Sequence, residues 1–189
     1  MKNNKSSFSD IIYLEWLYPI RDYYKSSELK ELIFDVFVPI LLSVAIYIVS
    51  LYRDAVAVTA DKLASMLFSV TSVLIGFSIM LVTILLTSGG DGINELKNRV
   101  VKKQLYGKSI TLFQKLHIQF IYSLVTEVLL LLVILFFYFM HDTLEIYSKD
   151  GYFIMIFVFG ILNILFSLIR EITNIYFSFY RNDVKKKER

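Results

Sequence analysis

The sequence predicts an all-α integral membrane protein with four transmembrane helices. Of the 189 residues, 56% are hydrophobic, and the mean hydropathy is +0.59, whereas an ordinary soluble domain is roughly 45 to 50% apolar. Charged residues are absent from three stretches, 36–52, 63–90 and 151–169, and uncharged apolar runs of about 20 residues are typical of membrane spans. The chain has no cysteine, which excludes disulfide scaffolds, thiolate metal sites and cysteine nucleophiles.

Four spans are expected, at about 32–52, 63–88, 113–140 and 151–169. In the first span, Asp35 lies in the first turn, and Pro39 is early enough to kink the helix without ending it. A run of glycines ends the second span, and one carboxylate, Glu127, lies near the middle of the third. Arg170 and Glu171 close the fourth span, and the apolar stripe beyond them predicts that the helix itself continues.

The distribution of Lys and Arg predicts the orientation. Seventeen of the 20 lie in the N-terminal segment, the central loop and the C-terminal tail, and three lie in the two short loops. By the positive-inside rule, both termini and the central loop face the cytoplasm (N-in, C-in). The chain then divides into a cytoplasmic lead-in (1–31), a transmembrane domain (32–169) and a helix extension with a basic tail (170–189). No signal-peptide core precedes the first span, so we expect that span to be retained.

The segments outside the spans predict elements at the membrane surface. Apolar and aromatic residues alternate with polar ones over 8–18, which predicts an interfacial amphipathic helix that Pro19 ends. This helix either anchors the chain among lipid headgroups or docks a partner or a second protomer. In the central loop, apolar residues recur at helical spacing over 93–105 beside basic ones, which predicts an amphipathic basic helix. The expected contacts with anionic lipids or a partner are Trp16, Lys97, Arg99, Lys102, Lys103, Arg181, Lys185, Lys186 and Lys187.

Polar residues inside the spans are the main candidates for a function within the membrane. Glu127 is costly at mid-bilayer, so we expect it to face a partner or a water-filled cavity, and Asn163 is its expected hydrogen-bond partner. In the second helix, small residues repeat at intervals of three, four or seven and form a seam that allows close helix packing. This seam consists of Ser65, Ser69, Ser72, Gly76 and Thr83. Gly160, Asn163 and Ser167 form a similar line in the fourth helix.

These seams either join helices or line a polar path at the centre of an oligomer. Polar seams on three helices provide more association surface than one bundle interior needs, which favours a homo-oligomer, with a tetramer as a plausible size. Direct nucleic-acid binding is not expected, because the basic runs are short and no folded reader accompanies them.

Enzymatic activity is not expected. The chain has no HExxH or GxSxG motif and no acidic pair at metal-binding spacing, and its two histidines, His117 and His141, fall at opposite membrane faces. We therefore expect neither catalytic residues nor a metal or cofactor.

The architecture as a whole resembles that of a known protein family. The features that carry the resemblance are the aromatic lead-in, the four spans, the Ser-rich stretch SVLIGFSIMLVTILLTSGG over 72–90, the basic loop and the basic tail. Together they resemble the KwaA membrane subunits of the Kiwa anti-phage system. The resemblance implies a homo-oligomeric sensor in the bacterial inner membrane that detects phage attack at the envelope and works with a cytoplasmic, DNA-binding KwaB partner. The implied docking surface comprises 8–18, 96–108 and the tail from Arg170.

Three functions remain open from the sequence. The first is a membrane sensor and scaffold that signals to a soluble effector. The second is an oligomeric ion or proton channel with Glu127 in a polar path. The third, ranked last, is a small proton-coupled exporter that uses the same carboxylate.

Overall fold

The computed structural model describes residues 15–52, 56–89, 91–144 and 152–187, and in these the chain is helical apart from one β-hairpin. The elements are α1 (Tyr18–Ser26), α2 (Leu29–Leu32), a π-helical segment (Ile33–Phe37), α3 (Val38–Tyr52), α4 (Val56–Thr87), α5 (Asp91–Asn98), β1 (Val100–Leu105), β2 (Lys108–Thr111), α6 (Leu112–Leu144) and α7 (Tyr152–Lys187). Most of the predicted lead-in helix over 8–18 lies outside the described residues.

Four helices in the described part of the chain are long and apolar enough to cross a membrane, which confirms the predicted fold class. They are Leu29–Tyr52, Ala60–Thr87, Leu112–Met140 and Tyr152–Phe177. The first three agree closely with the predicted spans. The fourth continues past its predicted end at Ile169, because Arg170 and Glu171 pack against neighbouring helices instead of ending the span.

The helices α6 and α7 form the centre of the bundle. The first span packs against α7, and α4 packs against both central helices. One apolar cluster, which includes Ile134 and Phe157, fills the half of the bundle near the start of α4. A second, which includes Leu96 and Phe120, lies at the other end, where α5 and the hairpin pack. We call this second end the hairpin end.

The outward faces of the spans are mostly apolar. Met66, Val73 and Phe139 are 66%, 73% and 60% exposed within the single chain. Such a continuous apolar surface is unfavourable in water and suits a hydrocarbon environment. The exposed side chains therefore agree with the helix lengths in indicating a multi-pass membrane protein.

Close packing of α6 and α7 depends on a glycine in the predicted line of small residues. A Cβ atom at Gly160 would lie 2.8 Å from Leu130 Cδ1, so a larger residue there would force Leu130 to move. Asn163 and Ser167, the other members of the line, are also buried. Within the chain, this line of small residues therefore packs against α6.

The predicted amphipathic helix over 93–105 is wrong beyond α5. α5 buries Ile93 and Leu96 as the helical spacing predicts, but the chain then forms the antiparallel pair β1–β2. Tyr106 and Gly107 make the turn with φ angles of 52° and 74°, and positive φ at both turn residues matches the twist of a two-residue hairpin. The two consecutive valines that open β1 fit the helical spacing, but β-branched side chains favour a strand.

The predicted effect of Pro19 is also wrong. Pro19 lies in the first turn of α1 and begins that helix instead of ending one. A proline costs little there, because the first backbone N–H groups of a helix have no partner within the helix.

Candidate functional site

Four charged side chains meet at the hairpin end, where Asp35 and Lys115 are buried and Glu31 and Arg170 are partly buried. Glu31 and Asp35 come from the first span, Lys115 from α6 and Arg170 from α7. Two carboxylates and two cations give a neutral group when all four are ionised. Charges can be buried in this way because each has an opposite partner and further hydrogen bonds. We call these four residues, together with Tyr23, the charge cluster.

Arg170 joins the two acids of the charge cluster. Its Nε donates to Asp35 Oδ2 at 2.8 Å, and its Nη1 lies 3.2 Å from Glu31 Oε1. Lys115 Nζ donates to both carboxylate oxygens of Glu31, at 2.7 and 2.9 Å. Gln119, with its amide oriented toward the guanidinium, accepts from Arg170. Asp35 is completely buried, so Arg170 is the cation on which its burial depends.

Tyr23 brings α1 into the charge cluster. Its side chain is completely buried, and its ring stacks on Tyr122 with the centroids 3.7 Å apart. The hydroxyl donates to Asp35 and accepts from Arg170 at 3.2 Å. Burial raises the pKa of the Tyr23 hydroxyl well above its ordinary value. The group therefore stays protonated and remains a hydrogen-bond donor at physiological pH.

The same short helix holds the tip of the hairpin. Arg21 donates to the Tyr106 hydroxyl, which in turn donates to Asp22 at 2.6 Å. Tyr106 has a φ of 52°, a left-handed conformation that bulky residues seldom adopt. The two contacts of its hydroxyl hold this residue against α1. Neighbouring residues of α1 thus contact the hairpin tip on one side and the charge cluster on the other.

A buried polar strip continues from the charge cluster along α6. Lys115, Gln119, Ser123 and Glu127 are spaced by four residues, so they lie along one face of the helix. All four are buried, and the strip rises about 18 Å along the helix axis. It therefore covers roughly half the thickness of a hydrocarbon core of about 30 Å.

Among the described residues, Glu127 of this strip and Glu171 of α7 beside it form no ion pair of the kind made in the charge cluster. Glu171 Oε1 accepts from Ser123 and Ser167, each at 3.0 Å, and Glu127 Oε1 accepts from Ser78 at 2.7 Å. In the described part of the chain, Oε2 of each glutamate is buried without a hydrogen-bond partner. A buried carboxylate oxygen in this state is costly unless a proton, a water molecule or an ion meets it.

Glu127 is buried and accepts from Ser78 of α4, so the predicted hydrogen bond to Asn163 does not form within the chain. Asn163 Oδ1 accepts from the Tyr122 hydroxyl at 2.9 Å, and its Nδ2 donates to the backbone carbonyl of Asp35 at 2.6 Å. That carbonyl lacks its usual helical donor, because the residue four positions later is Pro39, which has no N–H. The irregular turn before Pro39 therefore creates the acceptor that Asn163 satisfies.

The polar strip ends at Glu127. Beyond it, α6 buries Leu130, Ile134 and Phe137 in the apolar cluster shared with Ile154 and Phe157 of α7. The strip thus reaches the hairpin end, whereas the other half of the described bundle interior is mostly apolar, with Thr71 as a buried polar residue.

The predicted small-residue seam of α4 faces outward. Ser65, Ser69, Ser72, Gly76 and Thr83 are all exposed within the chain. The hydroxyls of Ser65, Ser72 and Thr83 donate to carbonyls of their own helix at 3.0, 2.7 and 2.8 Å, so they need no partner in another helix.

The bundle interior contains a different stripe of α4 with the same repeat. Its buried members are Ala60, Ala64, Leu67, Thr71, Ser78 and Leu85. The two stripes are offset by five residues, which turns one about 140° from the other around the helix.

The predicted surface contacts are only partly described. Trp16 is 42% exposed in the turn before α1. Lys97 lies over the Phe113 ring, 5.2 Å from its centroid, and the three basic residues near the start of β1 are exposed. Those three are Arg99, Lys102 and Lys103. The side chains of Arg181, Lys185, Lys186 and Lys187 lie outside the described residues.

The charge cluster was missed by sequence reasoning. The predicted span boundaries leave Asp35 and Lys115 at span ends and Arg170 just beyond one, where charged side chains reach water without a partner. The signal that could have predicted the charge cluster is charge balance, because two acids and two cations lie at the same end of three predicted spans. In the described residues, no group of three or more His, Asp or Glu side chains is arranged to hold a metal ion.

Comparison of the chain with protein-family models, with curated proteins and with solved structures finds no match. The interpretation of the site therefore depends on its geometry, and the KwaA resemblance stays a prediction.

Proposed function

We propose that this protein is a sensor and scaffold subunit of the bacterial inner membrane, of the type that the KwaA resemblance implies. The hairpin end faces the cytoplasm, as the positive-inside rule predicts. A disturbance of the envelope changes the packing of the spans, and α1 and the hairpin signal that change to a cytoplasmic DNA-binding effector. The functional unit is a homo-oligomer.

The observation that supports this proposal is the contact chain from the spans to the hairpin tip. Asp35 and Arg170 belong to two different spans, and both contact Tyr23 of α1. The adjacent residue, Asp22, accepts from Tyr106 at the tip of the hairpin. A shift between the two spans would move α1 and therefore the hairpin. A left-handed bulky residue held by its side chain is also a form of strain that is common at switch regions.

The test separates docking from signalling. Tyr106→Asn keeps a good two-residue turn, since Asn-Gly is the preferred sequence for it, but removes the hydroxyl that joins the hairpin to α1. The tagged protein is purified from native membranes in mild detergent, and soluble proteins that co-purify are identified by mass spectrometry. Phage plaque counts are measured on cells that carry the gene with its genomic neighbours. Tyr106→Asn should retain the soluble partner but lose protection.

Charge reversal at the hairpin provides the docking control. Lys103→Glu should lose the partner, whereas the same reversal at Lys62, at the opposite end of the bundle, should retain it. The proposal is wrong if no soluble protein co-purifies in stoichiometric amount with the wild-type chain, or if Tyr106→Asn protects as well as wild type.

The polar strip supports a second candidate, an oligomeric ion or proton channel. The unpartnered oxygens of Glu127 and Glu171 are places where a proton or cation would reside. Conduction would also require a path past the apolar cluster beyond Glu127, either by rearrangement within the chain or along an oligomer axis.

The channel candidate is tested with purified protein in liposomes. A pH-sensitive dye reports proton flux under an imposed potential. Glu127→Gln, which keeps the shape but removes the ionisable group, should change the flux or its pH dependence, and Gln114→Glu, at an exposed position of α6, should not. Absence of flux over a range of pH and voltage would reject this candidate.

A further inference from the structure

A cavity at the hairpin end has the composition of a lipid-headgroup site. It has a volume of about 440 Å³ and lies between β1, the start of α6 and the last part of α7. Ligand pockets in proteins are commonly about 300 to 1,000 Å³. Its lining includes Glu28, Arg99, Val100, Lys102, Leu112 and Phe177.

The depth of the cavity matches the boundary between headgroups and hydrocarbon. Leu112 begins the third apolar span and Phe177 ends the fourth. Both line the cavity, together with Val100. A lipid at this level would place its glycerol backbone and first acyl carbons against these three side chains.

The charges of the cavity suit one phosphodiester group. Arg99 and Lys102 supply two positive charges and Glu28 one negative charge, which leaves a net charge of +1. Arg and Lys bind phosphate by charge-assisted hydrogen bonds. The Glu28 carboxylate caps α2 by accepting from the Glu31 backbone N–H, and its second oxygen can accept from a headgroup hydroxyl.

The backbone positions Arg99 at the wall of this cavity. Its backbone N–H donates to the Glu95 carbonyl in the last turn of α5, with a distance of 3.0 Å. Its own carbonyl accepts from the backbone N–H of Leu112 at the start of α6, with a distance of 2.7 Å. The residue is thus tied to a helix on each side. The next basic residue along β1, Lys103, is exposed but is not part of the lining.

We propose that this cavity binds the headgroup of phosphatidylglycerol. The phosphate is held by Arg99 and Lys102, and a glycerol hydroxyl donates to Glu28. Phosphatidylethanolamine is excluded as the preferred lipid, because its zwitterionic headgroup does not balance the net positive charge. The site places a lipid against the base of the hairpin, and it does not depend on the proposed signalling role.

Native mass spectrometry of the full chain in detergent tests the site. The purified protein is incubated with phosphatidylglycerol or phosphatidylethanolamine, and the retained lipid is counted. Wild type should retain phosphatidylglycerol in preference to phosphatidylethanolamine. Arg99→Gln and Lys102→Gln should each weaken retention by at least about tenfold, because each loses a charge-assisted hydrogen bond. Far-UV circular dichroism confirms that the variants are folded.

Lys103→Gln is the matched control, since it removes the same charge from the adjacent residue. It should leave retention within about twofold of wild type. Equal losses in Lys102→Gln and Lys103→Gln would mean diffuse attraction and would overturn the proposal. So would equal retention of the two lipids, or displacement of the lipid by millimolar glycerol phosphate alone, which would identify a site for free phosphate. Because partner capture is predicted to depend on Lys103 and lipid retention on Lys102, the two proposals can fail separately.

Discussion

Arg170 connects several segments of the chain through one side chain in an apolar environment. It contacts Glu31 and Asp35 of the first span, Tyr23 of α1 and Gln119 of α6. Its own helix therefore reaches three other segments through one guanidinium group. The planar group suits this position, because it presents five N–H donors in fixed directions, which a lysine cannot do.

Replacement of Arg170 by Met should destabilise the fold strongly. The change leaves Asp35 completely buried without its cation, and removal of one partner of a buried ion pair typically costs about 3 to 5 kcal/mol. The free energy of unfolding is measured by denaturation in mixed micelles, followed by far-UV circular dichroism. Asp35→Asn in the same chain should recover part of the loss, because the uncompensated charge is then removed.

The control for this prediction is Arg21→Gln. Arg21 is 46% exposed in its side chain and pairs with Asp22 at the surface, where ion pairs contribute little. A loss of less than about 1 kcal/mol in Arg170→Met would contradict the assignment of Arg170 as the central cation of the charge cluster.

At Gly160, the contact between α6 and α7 depends on side-chain volume. Gly160 lies against Leu130, whose terminal carbon would be 2.8 Å from a new Cβ. That carbon ends a flexible side chain, so Gly160→Ala should be tolerated. The gain in helix propensity, about 1 kcal/mol, offsets the local crowding.

Gly160→Leu should destabilise the bundle, because several extra carbon atoms cannot be accommodated by a small shift of Leu130. Overpacking of this kind typically costs about 1 to 3 kcal/mol. Thermal denaturation in detergent measures the loss, and Leu130→Ala in the same chain should restore part of it. Equal melting temperatures for Gly160→Ala and Gly160→Leu would show that the helices do not pack as described.

The fold of the whole molecule was predictable to the extent that it depends on hydropathy and length. The four spans and the burial of Glu127 follow from the cost of charge in hydrocarbon. The hairpin was not predictable from the spacing of apolar residues, because the consecutive residues Val100 and Val101 are compatible with a helix as well as with a strand. The face of α4 that points inward was not predictable either, since the inward stripe and the outward seam share one repeat. The contact chain through Tyr23 joins residues far apart in sequence, and no local pattern reveals it.

The proposed homo-oligomer can be tested with two glycines of opposite environment. Apart from its own helix backbone, a Cβ atom at Gly76 would meet no atom of the described residues within 4 Å, whereas Gly160 is tightly packed against Leu130. Gly76→Leu should therefore leave the melting temperature of the single chain unchanged.

If the outward seam of α4 joins protomers, Gly76→Leu should convert the oligomer to smaller species in native mass spectrometry, because close helix approach requires small residues. Gly160→Ala should leave the oligomer intact. An oligomer that survives both Gly76→Leu and Ser69→Leu would place the interface on another helix, since both substitutions fill the seam without touching the bundle interior.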